Sequence, residues 1–359
     1  MPVKKILFLL PNNASKPVGG IKVVLEYANR LVRDGYEVSL VYAAYNRWYK
    51  SGLGHLLYYF LRLLMSKTTK SYVPKWFAVD KRVAHSLVWA FDKCVYPKDA
   101  KVIATAVDTA CYLERWSIPY EQKFYFIQDF ENWFVSDDFV RQTYHYEMTK
   151  IVVSKWLKRI VNECGEEATL VLNGFDMDFF HLTKPICDRN RHEIICLYHE
   201  DLRKGLSMAF EAFDIVKKNI PELHVTLFGS PNMPIGLPAW YSYYQRPDKE
   251  TFNEIYNRSA IFVGSSTVEG WGLTVGEAML CGCAVACTDN DGYLEMAIDG
   301  KTALVSHVND AKAMARNIVK LVQDDALRIN IAENGHRHIR NFDIEHSYQL
   351  FKETLNGTE

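Results

Sequence analysis

Residues 265–288 combine two glutamates and several glycines in a pattern that could bind a phosphate group. The pattern predicts a loop that contains Glu269 and Gly272, followed by a helix from about Thr274 to Cys281. Backbone amides at the start of a helix have no partner within the helix and carry partial positive charge, which suits an anionic group. The stretch therefore predicts an anion-binding helix terminus with carboxylates nearby.

The two glutamates also have ordinary structural explanations. Thr274 and Glu277 have the spacing of a capping box, in which the glutamate accepts hydrogen bonds from backbone amides. Glu269, which is separated from Glu277 by seven residues, could be a solvated loop carboxylate. Spacing alone leaves a binding role and a structural role open for both residues.

The first half of the chain has the alternation of strands and helices that could position such a loop. Residues 5–10 are a continuous apolar run, as expected for a strand buried on both faces of a parallel sheet. A loop ending in Gly19 and Gly20 follows, and apolar residues then recur with helical spacing from Ile21 to Gly35. Further strands are predicted at residues 37–42, 101–105, 123–127, 150–154 and 169–172. This pattern is typical of a doubly wound Rossmann-like domain.

The same alternation begins again after a polar, proline-containing stretch. Strands are predicted at residues 194–198, 223–228, 261–264 and 284–287. We expect an α/β fold of two Rossmann-like, doubly wound parallel-sheet domains that face each other across a cleft, where ligands of such sheets bind. The expected boundaries are residues 1–175 for the first domain, 176–192 for a linker, 193–340 for the second domain and 341–359 for a C-terminal helix that packs back on the first domain.

The composition is that of a soluble, folded protein. The chain has 359 residues, 48% hydrophobic and 24% charged, which is enough for two domains with separate cores. Its 42 basic and 43 acidic residues leave no overall charge that would favour nucleic acid as a partner. Eight cysteines without a Cys-x-x-Cys pair predict reduced thiols rather than a zinc site, and the N-terminal apolar run is too short for a secretory signal. We expect a cytoplasmic location.

Residues 47–82 are unusually basic. They contain eight basic residues against one acidic residue, with interleaved aromatic residues and an apolar run at 53–65. Such a segment could form a helix that lies on an anionic membrane surface or contacts a lipid acceptor. It could equally be a helix packed on its own domain with a solvated basic edge. Nucleic-acid binding is a third interpretation, and the sequence does not favour it.

The stretch that contains both glutamates resembles the donor-site signature of the retaining glycosyltransferases of family 4, also called group 1, which have the GT-B fold. The matching positions are Glu269, 270–273, Glu277, 278–279 and 281–282. Other matching pieces follow in the same order as in the family: Gly19-Gly20, 153–157, 173–176, 203–205 and 291–295. The resemblance covers nearly the whole chain, and residues 198–199 and 228–231 are similar to polysaccharide rhamnosyltransferases.

The resemblance implies a role for each matching residue. Glu277 would bind the ribose hydroxyls of the nucleotide, and Glu269 the hydroxyls of the transferred sugar. Lys204 would neutralise the diphosphate, whose charge grows as the glycosidic bond breaks. The backbone amides near the sugar and diphosphate would be those of Gly272, Leu273 and Thr274, approached from the other domain by Gly19 and Gly20.

The chain departs from the family pattern at one position of the site. Tyr198 and His199 replace a Gly-Arg pair that family members usually carry before the loop lysine. Arg203 could supply the missing positive charge, or His199 could do so when protonated. In the first domain, Asp129 and Glu131 lie where related enzymes often have a histidine near the sugar. They could bind acceptor or sugar hydroxyls, or be solvated carboxylates.

The function implied is the transfer of a hexose from a nucleoside-diphosphate sugar to an acceptor hydroxyl with retention of configuration. The acceptor would be a glycan or a lipid-linked molecule in cell-surface polysaccharide or glycolipid biosynthesis, and the enzyme cytoplasmic or peripheral on the inner membrane face. No metal and no further cofactor are expected, although residues 176–178 and 289–291 match Asp-x-Asp. A non-catalytic sugar-nucleotide-binding protein of the same fold is the alternative. A nicotinamide oxidoreductase is disfavoured because G-x-G-x-x-G is missing after the first strand.

Overall fold

The computed structural model describes residues 4–11, 17–45 and 53–357. The chain divides into two compact units: Met1–Asn173 together with His346–Glu359, and Gly174–Glu345. Each unit contains one parallel β-sheet with helices between its strands. The predicted class, α/β with two Rossmann-like parallel-sheet domains, is therefore confirmed.

The first unit is built on a seven-stranded sheet. Its strands are β1 Lys5–Leu10, β2 Glu37–Ala43, β3 Ala84–Val88, β4 Ala100–Ala104, β5 Lys123–Ile127, β6 Thr149–Val152 and β7 Thr169–Leu170. Its helices are α1 Gly19–Arg33, α2 Leu53–Thr69, α3 Val107–Leu113, α4 Asp137–Thr143 and α5 Lys155–Glu163, with short 3₁₀ turns at Phe91–Lys93 and Tyr120–Gln122. The strand order β3-β2-β1-β4-β5-β6-β7 reverses its direction between β1 and β4. Ligands of open α/β sheets bind at the carboxyl ends of the strands beside such a reversal.

Local sequence explains how these elements begin and end. Every residue of β1 after Lys5 is buried, as expected for a strand covered on both faces. Helix α1 buries its apolar residues Val24, Leu25 and Ala28 on one side. After this helix the chain turns at Gly35, whose φ of 88° lies in the left-handed region that glycine adopts at little cost.

The second unit is built on a six-stranded sheet in the order β10-β9-β8-β11-β12-β13. Its strands are β8 Glu193–Tyr198, β9 His224–Gly229, β10 Tyr241–Gln245, β11 Ile261–Gly264, β12 Ala284–Thr288 and β13 Ala303–Ser306. Its helices are α6 Leu206–Asn219, α7 Lys249–Arg258, α8 Leu273–Leu280, α9 Asp291–Leu294, α10 Ala311–Gln323 and α11 Asp325–Ile339, with 3₁₀ turns at Ile186–Asp188 and Leu202–Lys204. Ile194, Val225 and Ile261 from the central strands lie in its core.

Residues 176–192, expected as a linker, are part of the second unit and pack against it. The Arg189 side chain is buried and donates to the carbonyl oxygens of Ser259 at 3.0 Å and Cys281 at 2.5 Å. These carbonyls follow the C-terminal ends of α7 and α8, where a cation interacts favourably with the helix dipoles. The stretch expected as a linker is therefore a packed part of the second unit.

The last helix, α12, is Ile344–Asn356, and its residues from His346 onward belong to the first unit. The Phe351 ring packs on Tyr27 of α1 with ring centroids 4.6 Å apart and on Phe126 of β5 at 5.3 Å. Tyr348 Oη donates to Asp34 Oδ2 at 2.8 Å, and Lys352 Nζ lies 2.6 Å from the same atom. The end of the chain thus completes the core of the first unit.

Candidate functional site

The loops that follow β8, β11 and β12 are tied together at the carboxyl edge of the second sheet. These three strands are neighbours in the sheet, so the chain leaves each of them at the same edge. The amide of Thr267 donates to the carbonyl of Arg203 at 2.7 Å, which joins the first two loops. Asn290 Nδ2 donates to the carbonyl of Ser266 at 3.0 Å, which joins the second and third. The sheet order therefore assembles one site from three distant stretches of sequence.

Lys204 and Glu269 form an ion pair within this site. Lys204 Nζ lies 2.7 Å from Glu269 Oε1, and the two side chains are 23% and 15% exposed. Lys204 ends a 3₁₀ turn and is followed by Gly205, whose φ is 61°. A Cβ at Gly205 would lie 2.0 Å from the carbonyl oxygen of Ser265, so only glycine permits this approach of the two loops.

A hydrogen-bonded chain orients the Glu269 carboxylate. Ser266 Oγ donates to Glu269 Oε1 at 2.7 Å, and Tyr293 Oη donates to Ser266 Oγ at 3.0 Å. Both bonds to the carboxylate, from Lys204 and from Ser266, end on Oε1. Burial raises the pKa of Tyr293 well above 10, so its hydroxyl stays protonated and can donate. Ser266 was not predicted as a site residue, and Tyr293 was predicted only as part of the matching piece 291–295.

Helix α8 begins at Leu273, one residue before the predicted start, and its N-cap is Gly272. Gly272 has a φ of 95°, and a Cβ there would lie 2.4 Å from Cδ1 of the Tyr293 ring. Thr274 is therefore the second residue of the helix, and the cap has no side-chain hydrogen bond. The capping-box interpretation of Thr274 and Glu277 is wrong because Thr274 does not occupy the N-cap position.

Glu277 lies one turn into α8 and is 4% exposed. Tyr256 Oη of α7 donates to Glu277 Oε2 over 3.5 Å. Lys204, Thr274 and Tyr293 line one small void of about 10 Å³, which Glu277 does not line. The structure thus brings Lys204, Glu269 and the start of α8 together and holds Glu277 on that same helix.

Arg203, considered as a second cation for a phosphate, is occupied by a neighbouring carboxylate. Its Nη2 donates to Asp201 Oδ2 at 2.5 Å, and its Nε lies 3.1 Å from the same oxygen. The hydrogen bonds from Arg203 lower the pKa of Asp201. The charge of Arg203 is therefore neutralised within its own loop.

His199, the other proposed replacement, accepts rather than donates at its Nδ1 atom. The amide of Asp201 donates to His199 Nδ1 at 3.0 Å, a bond that requires Nδ1 to be deprotonated. Burial, together with the nearby charge of Lys204, lowers the pKa of His199 below 6.5. Both observations favour the uncharged imidazole near neutral pH, and the role of His199 as a cation stays a prediction without structural support.

The predicted residues of the first unit have structural contacts of their own. Glu131 is buried, and its Oε2 accepts from the amide of Val107 at 2.7 Å, the first residue of α3. It is therefore not a solvated carboxylate but binds a helix terminus. Asp129 Oδ1 accepts from the amide of Phe130 at 2.9 Å. Gly19 and Gly20 are the first two residues of α1, and a Cβ on Gly20 would lie 3.3 Å from Gln128 Nε2.

Several other features lie apart from this site. Within residues 4–11, 17–45 and 53–357 there is no group of three or more His, Cys, Asp or Glu side chains that could hold a metal ion. The two Asp-x-Asp matches are engaged locally: Asp176 Oδ1 accepts from the amide of Asp178, and Asp289 pairs with His307. A groove of about 560 Å³ between residues 178–184 and α7 is lined by none of the predicted site residues.

Residues 187–338 match the family described as glycosyl transferases group 1, a range that contains all three loops of the site. This match lies within the second parallel-sheet unit, and that part of the chain is similar to the group 1 glycosyltransferases. The resemblance to group 1 glycosyltransferases is thus confirmed. Retention of configuration and the likeness to rhamnosyltransferases stay predictions.

Two relatives are named as mannosyltransferases, and a solved structure shares the fold. A 91-residue segment is 38% identical to the lipopolysaccharide core biosynthesis mannosyltransferase LpcC of Rhizobium leguminosarum, covering 25% of this chain and 26% of that protein. A 217-residue segment is 22% identical to a phosphatidyl-myo-inositol mannosyltransferase of Mycolicibacterium smegmatis, covering 57% and 56%. The matches thus span from about a quarter to about half the length of these relatives. The fold is that of Anabaena Alr3699/HepE, solved with UDP and glucose, with a TM-score of 0.71, 16% identity and coverage of 98% and 99%.

Proposed function

We propose that the protein transfers a hexose from a nucleoside-diphosphate sugar to an acceptor hydroxyl with retention of configuration. The observation that carries the proposal is the Lys204–Glu269 pair beside the start of α8, with Nζ and Oε1 2.7 Å apart. A cation, a carboxylate and helix-terminal amides are the groups that a diphosphate and a sugar require. The family of residues 187–338 supports the same chemistry.

Each group in the site has a proposed contact with the donor substrate. Lys204 Nζ and the amides of Gly272, Leu273 and Thr274 bind the diphosphate. Glu269 binds hydroxyls of the sugar through Oε2, because its Oε1 already accepts two hydrogen bonds. Glu277 binds the ribose, and the first-unit residues Gly19, Gly20 and Asp129 serve the acceptor or sugar side, whereas Glu131 holds the start of α3.

Charge stabilisation on the leaving group supplies most of the proposed rate enhancement. As the glycosidic bond breaks, negative charge develops on the diphosphate, where Lys204 and the helix-terminal amides are already oriented. Arg203 is paired with Asp201 and His199 is uncharged, so we assign them to positioning the loop rather than to charge neutralisation. The acceptor oxygen attacks from the face that the diphosphate leaves, and a phosphate oxygen takes its proton. This path needs neither a carboxylate nucleophile nor a metal ion.

The names of the relatives support a class of acceptor and a place of action. One relative is named for lipopolysaccharide core biosynthesis and the other for phosphatidyl-myo-inositol. We propose a glycan or a lipid-linked molecule as the acceptor and a location on the cytoplasmic face of the membrane. No helix of the described part of the chain is long and apolar enough to cross a bilayer.

Binding of the nucleotide is tested by thermal unfolding with UDP, GDP and dTDP. A diphosphate at 100 times its dissociation constant stabilises the folded state by about 2.7 kcal/mol, so one of the three should raise the melting temperature clearly. Glu277→Ala should abolish this shift, whereas the control Glu222→Ala, an exposed loop glutamate, should keep it. An unchanged shift in Glu277→Ala would remove the ribose-binding role.

Transfer itself separates an enzyme from a non-catalytic binding protein of the same fold. The protein is incubated with a labelled nucleotide sugar and a membrane glycolipid extract, and the anomeric configuration of the product is read by NMR. Binding without transfer to any acceptor would favour the non-catalytic alternative. Sugar-nucleotide turnover without an acceptor would favour an epimerase, and an inverted product would refute retention.

A further inference from the structure

Helix α2 of the first unit exposes an unusual number of large apolar side chains. Met65 is 68% exposed and Leu57 60%, and four more of these side chains are about half exposed: Tyr58, Phe60, Leu61 and Leu64. Scattered apolar residues are ordinary on a protein surface, but a contiguous group on one helix marks an interaction site.

The opposite face of α2 is anchored on its own sheet. Tyr59, Leu63 and Ser66 form a narrow buried stripe. The Tyr59 ring contacts Tyr45 with centroids 5.6 Å apart, and Tyr45 stacks on Trp89 at 5.5 Å. The outward orientation of the other apolar residues is therefore fixed by packing on the inner side.

The positions of the basic residues follow from the helical repeat of about 3.6 residues per turn. Leu57, Leu61 and Leu64 lie opposite the buried stripe. Arg62 and Lys67 lie on the two flanks, between the buried and the outward faces. A helix with an outward apolar face and cations along both edges matches the geometry of a helix that lies in a membrane interface.

Helix α2 and the residues that follow it carry positive charge that acidic residues of the same segment do not balance. Residues 57–82 contain six basic residues and one acidic residue. The acidic residue, Asp80, is already paired with Arg82 at 2.8 Å, which lowers the pKa of Asp80 to about 2. Lys67, Lys70 and Lys75 are exposed, and none of them has an ion-pair partner within the described residues.

We propose that the outward face of α2 binds the surface of an anionic membrane, with Lys67, Lys70 and Lys75 contacting acidic lipid headgroups. Each lysine near such a surface contributes about 1 kcal/mol, and the apolar side chains enter the headgroup layer. A symmetric contact between two copies of α2 would bring like charges together, and nucleic acid would not use aliphatic side chains such as Leu61 and Leu64. The proposal names the surface that would hold the protein at the membrane location proposed above, and it does not depend on sugar transfer.

Flotation with lipid vesicles tests the proposal without any reaction. The full chain is mixed with vesicles of phosphatidylcholine alone or with added phosphatidylglycerol, at low and at high salt. We expect binding only to the anionic vesicles, and weaker binding at high salt. The triple variants L61E/L64E/M65E and K67Q/K70Q/K75Q should each bind at least about tenfold more weakly. The control Ile235→Glu changes an exposed apolar residue of the second unit and should bind normally.

The possible outcomes separate this surface from the transfer reaction. Equal binding to neutral vesicles, no binding at all, or unchanged binding of both triple variants would overturn the proposal. A wild-type dimer that L61E/L64E/M65E converts to a monomer, without any vesicle binding, would assign the face to a second copy instead. Transfer to a water-soluble acceptor should be the same in both triple variants as in the wild type. If the wild type itself catalyses no transfer but binds anionic vesicles, only the proposed function is refuted.

Discussion

Lys204 and Glu269 neutralise each other across two loops that are 65 positions apart in the sequence, with Nζ and Oε1 at 2.7 Å. The pair places a cation where a diphosphate can compete for it and a carboxylate where sugar hydroxyls can. A substrate that carries both groups can replace one internal contact with two of its own. Under the proposed function, the pair would tie recognition of the sugar to recognition of the diphosphate.

Removing the charge of Lys204 should slow transfer strongly. Lys204→Met keeps most of the aliphatic stem and removes the cation, so kcat should fall about 100- to 1,000-fold, as when one oriented donor is lost from an oxyanion site. Steady-state transfer kinetics measure the effect, and the exposed Lys301→Met is the control. A change within about threefold would end the leaving-group role.

Tyr293→Phe should reduce turnover by loosening the orientation of Glu269. The variant keeps the ring beside Gly272 and deletes the hydroxyl that donates to Ser266 at 3.0 Å. A lost hydrogen bond costs about 1 kcal/mol in the free energy of unfolding. Because Tyr293 acts through Ser266, kcat should fall while KM for the nucleotide sugar changes little. Tyr241→Phe is the control, and equal kinetics in the two variants would refute the positioning role.

Gly272→Ala should cost much more stability than Gly300→Ala. Both glycines have positive φ, 95° and 69°, but a Cβ at Gly272 meets the Tyr293 ring at 2.4 Å whereas none lies within 4 Å at Gly300. The left-handed conformation alone costs roughly 1–2 kcal/mol for alanine, and overpacking adds typically about 1–3 kcal/mol. Urea unfolding compares the two variants. Similar losses would mean that the ring moves aside at little cost.

Acidification should not activate the enzyme through His199. Because burial holds its folded pKa below 6.5, the folded state binds fewer protons than the unfolded chain near that pH. Its contribution to stability is complete above pH 6.5 and is lost as the pH falls through the folded pKa. We expect kcat/KM to stay level or fall between pH values of about 7.5 and 5.5.

The variant His199→Asn separates these effects, because it keeps a hydrogen-bond acceptor and removes the titration. Its pH profile should be flatter than that of the wild type, and the exposed His346→Asn should have no effect. A wild-type rate that rises on acidification and is lost in His199→Asn would restore the histidine as a cation.

Strands in the middle of the sheets were predictable because burial on both faces leaves a continuous apolar run. β1 begins and ends at the predicted residues Lys5 and Leu10. The edge strands β3, β10 and β13 were not predicted. Most residues of β3 and β10 are half-buried or exposed and show no apolar run, and β13 has only four residues. Pairing with a neighbouring strand, which leaves no mark in the local sequence, makes them strands.

The site was only partly predictable for a similar reason. Lys204 and Glu269 were predicted as site residues because the sequence resembles a family. Their contact, however, depends on β8 and β11 being neighbours in the sheet. Ser266 escaped notice because a serine in a loop is common, and only its bond to Glu269 gives it a role. The pairing of Arg203 with Asp201, in contrast, joins residues two positions apart and could have been expected from the sequence.

Helix α12 belongs mostly to the first unit but is synthesised after the second unit, which affects the order in which the two units can fold. Tyr27 and Phe126, which both precede the second unit in the sequence, are covered by Phe351 of α12. During synthesis on the ribosome, the second unit emerges whole before that cover exists, so it can fold first although its sequence comes later. We expect the rings of Tyr27 and Phe126 to lack this apolar cover until α12 has been translated.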